Sequence, residues 1–183
     1  MLVELMTGLL FVLAWFLLGP QWQLPVVLLY ICILIVLSIT DLERGFLPGI
    51  IIYPAIGIAL IIMLVKTLTG LPPDIVNSAI GFASGFGFFF LIWFAARLFK
   101  KEVIGFGDVV MGGLIGIMVG FPLVMAAIYL VVLTGGLTAV VLVILKLRKL
   151  TEPVSFGLFL ALGAVVTLLW GREISVLISL LMT

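Results

Sequence analysis

Charged positions are rare along this chain, and where they fall divides it into long apolar runs. No Asp, Glu, Lys or Arg occurs from Leu5 to Thr40, Gly45 to Val65, Ile75 to Ala96, Val109 to Leu145, or Pro153 to Gly171. A helix needs roughly 20 apolar residues to cross the hydrocarbon core, and each run can supply them. The first and fourth runs are long enough to cross twice. Each has a break in its middle, at Gly19-Pro20-Gln21-Trp22-Gln23 in the first and Gly120-Phe121-Pro122 in the fourth. Pro lacks an amide donor and Gly lacks side-chain restraint, so such clusters end helices. The pattern predicts spans over about 3–19, 24–41, 48–66, 75–97, 104–120, 122–146 and 154–171. The runs are too long for barrel strands and do not alternate. The expected fold is an all-α polytopic membrane protein, a bundle of about seven transmembrane helices, forming a single domain over 1–183. A last apolar stretch, Glu173 to Met182, is too short to cross and is expected at the membrane surface or against the bundle.

Composition strengthens this reading. Hydrophobic residues make up 66% of the chain and charged residues 9%, against about a quarter charged in soluble domains. The net charge of +1 gives no electrostatic case for nucleic-acid binding. Arg44, Arg97, Lys100, Lys101, Lys146, Arg148 and Lys149, seven of the nine basic residues, fall in loops on one face of the expected bundle. Only Lys66 and Arg172 fall on the other. The positive-inside rule places the richer face in the cytoplasm, with loops 42–47, 97–103 and 147–153. The first span carries Glu4 in place of a basic segment, so it reads as a span and not as a signal peptide. Gly81/Gly85, Gly112/Gly116 and Gly116/Gly120 form small-residue pairs four apart, which suit close helix contacts in lipid.

Intramembrane acids cost about 2.5–3.5 kcal/mol on insertion scales and call for an explanation. Asp74, after Pro72-Pro73, reads as a helix cap, and Glu4 as a helix-end residue. Asp41 and Asp108 are different. Asp41 ends the second span, Asp108 lies about one turn into the fifth, and an even number of crossings returns both to the cytoplasmic side. They can meet if those spans pack together. Two close carboxylates resist double ionisation and tend to share a proton. One then accepts a proton from water while the other donates to a peptide carbonyl, as in aspartic proteases. Gly105 and Gly107 allow the backbone to bend and an extended substrate to lie close. Two unrelated helix-end aspartates, or a transporter's proton relay, use the same groups without pairing them. Other chemistries lack their residues. There is no His, which removes His-based triads and most zinc sites. Cys32, the single cysteine, sits mid-span as an apolar filler. No phosphate-binding loop or dinucleotide fingerprint is present, and no cofactor or metal is expected.

At these residues the chain resembles the type IV prepilin peptidases. Asp41-Leu42-Glu43-Arg44-Gly45-Phe46-Leu47-Pro48 resembles their first signature, a helix-end Asp followed seven residues later by Pro. Gly105-Phe106-Gly107-Asp108 resembles the second, G-x-G-D. Ser155 to Ala164 resembles the family's S/P-F-G-x-F-L-A-L-G-A segment, and Leu2 to Phe11 the segment that opens its second membrane helix. The resemblance implies that Asp41 and Asp108 are the catalytic pair, with Gly105, Gly107 and Pro48 at the substrate. It implies an endopeptidase that removes the short basic leader from type IV prepilins or type II secretion pseudopilins. Such an enzyme would be multi-pass in the prokaryotic cytoplasmic (inner) membrane, act near its cytoplasmic face, and have pilin-like precursors and membrane lipid as its partners. The chain departs from the family at Gly49, where Asp or Asn usually follows the Pro, a position expected to tune the loop. It also begins where the second helix of bifunctional members begins, so no methyltransferase activity is expected of it. The alternatives are a small proton-coupled transporter and an inactive relative that binds pilin-like helices without cutting them.

Overall fold

The computed structural model describes residues 2–99, 104–144 and 156–181. Among these, the chain forms eight α-helices: α1 (Leu2–Leu18), α2 (Gln23–Arg44), α3 (Gly49–Leu68), α4 (Ile75–Leu98), α5 (Phe106–Val119), α6 (Leu123–Ile144), α7 (Gly157–Leu169) and α8 (Gly171–Leu181). One helix occupies each of the seven expected spans, and α8 occupies the terminal stretch. The breaks fall where Gly and Pro punctuate the sequence. Gly19, Gly45, Gly70 and Gly120 all adopt positive φ, a backbone region that glycine enters without steric cost. Asp74 caps α4 as expected, its Oδ1 accepting the Asn77 N–H at 2.9 Å.

The chain is an all-α polytopic membrane protein. Among the described residues, three helices are long and apolar enough to cross a membrane: α2, α3 and α4. The pair α7–α8 makes a fourth if it is counted as one broken span, bent by 81°. The difference from about seven spans lies in helix length at α1, with 17 residues, and more strongly at α5 and α7, while α6 counts only over Leu123–Thr138. Gly120, at φ 73°, ends α5 after 14 residues, and α7 has 13 before the bend. At 1.5 Å per residue, helices this short reach only about 20 Å of a roughly 30 Å core.

The core centres on α5. It is buried almost throughout, from Asp108 to Val119, and packs against α3, α4, α6 and α7. The α4–α5 contact is made backbone to backbone. A Cβ built on Gly81 would run into the carbonyl oxygen of Gly116, and one on Gly85 into that of Gly112. The small-residue pairs therefore serve packing within one chain. Large apolar side chains such as Phe16, Ile61, Leu91 and Leu137 lie exposed on the outside, an arrangement suited to lipid and not to water.

Candidate active site

The first acid closes α2. Asp41 stands in its last turn, and its carbonyl accepts the N–H of Gly45, which caps the helix in the left-handed conformation at φ 69°. That cap turns the chain into a short loop running to Pro48, which is extended (φ −72°, ψ 134°) and precedes α3. A helical conformation is disfavoured for the residue before Pro, so the loop from Gly45 to Pro48 separates α2 from α3. Leu47 and Pro48 are buried, whereas Phe46 and Arg44 are exposed.

The second acid opens α5. Gly105 is its extended N-cap, and Asp108 is the third residue of the helix. The Gly105 N–H donates to Asp108 Oδ2 at 3.1 Å, the half of a capping box in which the third residue reaches back to the cap. Asp108 Oδ1 is buried and has no hydrogen-bond partner among the described residues. Trp93 of α4 packs its ring edge-on against Phe106 at 5.4 Å, and the Arg97 guanidinium lies 5.2 Å from the Trp93 ring centre. These contacts tie the start of α5 to the end of α4.

Both carboxylates are buried, Asp41 at 4% exposure and Asp108 at 7%. Buried ionisable groups are costly unless a partner or a function retains them. The α2 and α5 helices share at most marginal contact, because α7 packs against both. Even so, the two carboxylates are near enough to interact electrostatically. Two close approaches join the segments. A Cβ on Gly107 would lie 2.7 Å from the Leu47 Cβ, so the second signature rests on the loop of the first. At the start of α7, the Gly157 N–H donates to Asp41 Oδ2 at 2.9 Å, across 116 positions of sequence.

Of the residues expected at the substrate, Gly105 is exposed, Gly107 is half-buried against Leu47, and Pro48 is buried. Sequence reasoning missed Gly157. Its signal was present in the F-G-x-F segment, which carried a resemblance but no role. Lys100, Lys101, Lys146, Arg148, Lys149 and Ser155 lie outside the described residues. No group of three or more metal-ligating side chains occurs among the described residues.

The fold and site define a multi-pass membrane protein that holds two buried carboxylates at the ends of two helices, joined by short loops. Residues 28–144 match the model of the type IV leader peptidase family. This chain belongs to that family, and both Asp41 and Asp108 fall within the matched region. Curated relatives carry the name prepilin leader peptidase/N-methyltransferase. They include proteins of Aeromonas salmonicida, 30% identical, Pseudomonas aeruginosa, 29% identical, and Aeromonas hydrophila, 28% identical. Each match covers 95% of this chain and 59% of the relative, so the chain spans less than two thirds of their length. No solved structure is significantly similar to it.

Proposed function

We propose that this chain is a membrane aspartic endopeptidase in which Asp41 and Asp108 form the catalytic pair. The observation that carries the reading is the burial of both carboxylates in the two segments that carry the family's signatures, which meet where Gly107 packs on Leu47. One carboxylate, ionised, takes a proton from a water held between them. The hydroxide so formed attacks the carbonyl carbon of the substrate's peptide bond. The other carboxylate, protonated, gives its proton to the carbonyl oxygen. When the tetrahedral intermediate collapses, the C–N bond breaks, the leaving nitrogen takes the proton that the first carboxylate drew from water, and the second carboxylate recovers a proton from a hydroxyl of the intermediate as the C=O re-forms.

Gly105, Gly107 and Pro48 belong to the substrate side of this site. Gly105 is exposed immediately before α5 and leaves room for an extended peptide close to its backbone. Pro48 and Gly107 act through the loop they shape, since both pack inward. The names of the relatives point to prepilin leaders as what those proteins cleave; for this chain we take the substrates to be pilin-like precursors, each with a short basic leader followed by an apolar helix. The site would then lie near the cytoplasmic face of the inner membrane. In this reading 1–183 is a single peptidase domain, and the seven helices α1 to α7 all cross or enter the bilayer. The short ones do so inside the bundle, where α5 is shielded by its neighbours. A transporter would place its acids at a mid-membrane cavity, whereas both acids here stand in terminal helical turns.

The test incubates the purified full chain with a membrane-embedded prepilin in liposomes and maps the cut. A single cut after the basic leader, lost on Asp41→Asn or Asp108→Asn, is the expected result. An uncut precursor with the folded wild-type protein, or an unchanged cut with either variant, overturns the reading.

A further inference from the structure

We infer that Gly157, at the start of α7, is a positioning residue that holds the Asp41 carboxylate for catalysis, and that only glycine serves at this position. The inference rests on the peptidase reading for its activity test and on geometry for the rest.

Asp41 occupies the last turn of α2, next to the partial negative charge of that helix end. The compensating group comes from α7. Phe156, the residue before α7, offers no side-chain cap, so the first N–H groups of α7 must find acceptors elsewhere. Asp41 Oδ2 is one such acceptor, taking the Gly157 N–H at 2.9 Å. In effect the carboxylate of one helix caps the N-terminus of another, and the positive end of α7 faces it.

The contact leaves no space for a side chain. A Cβ on Gly157 would stand 2.6 Å from Asp41 Oδ2, 2.9 Å from its Cγ and 3.0 Å from its Cβ. All three atoms belong to a buried residue on a helix, so they cannot swing away as an exposed side chain would. The N–H bond and the missing Cβ therefore fix one Asp41 rotamer together. A methyl group at Gly157 would push the carboxylate off that rotamer, since its three nearest neighbours are all Asp41 atoms, while the Asp108 carboxylate is held separately by Gly105. Because α7 packs against both α2 and α5, its N-terminus sets where Asp41 stands relative to Asp108.

The experiment has two arms on the full chain. The first measures cleavage of a synthetic precursor, a short basic leader joined to an apolar helix, in liposomes. Gly157→Ala is expected to lower kcat by ~100-fold, the scale of a catalytic group misplaced by about an ångström, with KM within about twofold of wild type. Gly136→Ala, on α6 with open space around its Cβ position, is expected to match wild type. The second arm measures thermal unfolding of wild type, Gly157→Ala, Asp41→Ala and the double variant. Shortening Asp41 removes the atoms the new methyl meets, so the loss of Tm caused by Gly157→Ala is expected to shrink in the Asp41→Ala background. If Gly157→Ala alone does not fold, recovery of folding in the double variant is the supporting result and failure to recover is the opposing one. Normal kcat in folded Gly157→Ala, or equal Tm losses in the two backgrounds, overturns the inference. Failure of wild type to cut the precursor counts against the peptidase reading, and the unfolding cycle still decides the Gly157–Asp41 contact.

Discussion

Asp41 and Asp108 are the same residue type in opposite helical settings. Asp108 stands in the first turn of α5, where a carboxylate favours the helix, and Asp41 in the last turn of α2, where it does not. A charge at the wrong helix end costs about 0.3–1 kcal/mol at exposed sites. At α7 the same carboxylate stands at the favourable helix end and accepts the Gly157 N–H; an Asn oxygen can still accept it, so Asp41→Asn should fold while it abolishes the chemistry. Asp41→Asn and Asp108→Asn are each expected to lower cleavage of a prepilin by on the order of 1,000-fold or more. The double variant should be little worse than either single, because groups that act as a unit are not additive. Rates and melting curves for the four proteins check this, and multiplicative losses would mean two independent roles. Gly107 offers a second residue-scale prediction. A Cβ there would meet Leu47 Cβ at 2.7 Å, so Gly107→Ala must displace the loop between Asp41 and Pro48. Turnover should fall by ~10-fold or more. Gly120→Ala is no neutral comparison, since Gly120 has φ 73° and its Cβ would meet Pro73 at 2.5 Å. Gly136→Ala is the fair one, and equal rates for it and Gly107→Ala would leave Gly107 no part in the site.

At the scale of elements, helix positions were legible because charge and Gly/Pro punctuation are local signals. The break at Gly120-Phe121-Pro122 ends α5, and the Phe121 N–H is tied to the Asn77 carbonyl at the start of α4. Helix lengths were less legible. The end of the last span at Gly171 was legible from Arg172 and Glu173, which set the terminal stretch apart, but the 81° angle between α7 and α8 was not, since no residue spacing encodes an angle. The pairing of helices was legible in part. Glycines four apart announced a close contact, and the structure makes it between α4 and α5. That α7 would lie against both acid-bearing helices was not readable, because spacing within a segment carries no information about a neighbour 116 positions away. The glycine seam makes its own prediction. Gly116→Leu should drive α4 and α5 apart, since even a Cβ there would collide with the Gly81 backbone. The expected loss is about 1–3 kcal/mol, the range for overpacked cores, read from unfolding in detergent. Gly87→Leu, on the same α4 but in open space, should unfold as wild type does, and a similar loss in both would remove the seam from the account.

For the whole molecule, the distribution of charge and the geometry of the acids bear on one question, the side on which the site opens. The ends of α2 and α4 carry Arg44 and Arg97, whereas the end of α3 carries Lys66. The starts of α5 and α7 meet the α2 end through Gly107 and Gly157. The acids therefore share a face with Arg44 and Arg97. Positive residues are held in the cytoplasm during insertion, so that face should be cytoplasmic. It is also the side on which a basic leader would reside before cleavage. The prediction is read with single-cysteine variants made after Cys32→Ser, using a membrane-impermeant maleimide on intact cells. Thr69→Cys, in the loop after α3, should react from outside. Arg44→Cys should react only after the membrane is permeabilised. Labelling of Arg44→Cys in intact cells, with Thr69→Cys protected, would invert the molecule. That outcome would set the two carboxylates on the opposite side from the leader of the proposed precursor.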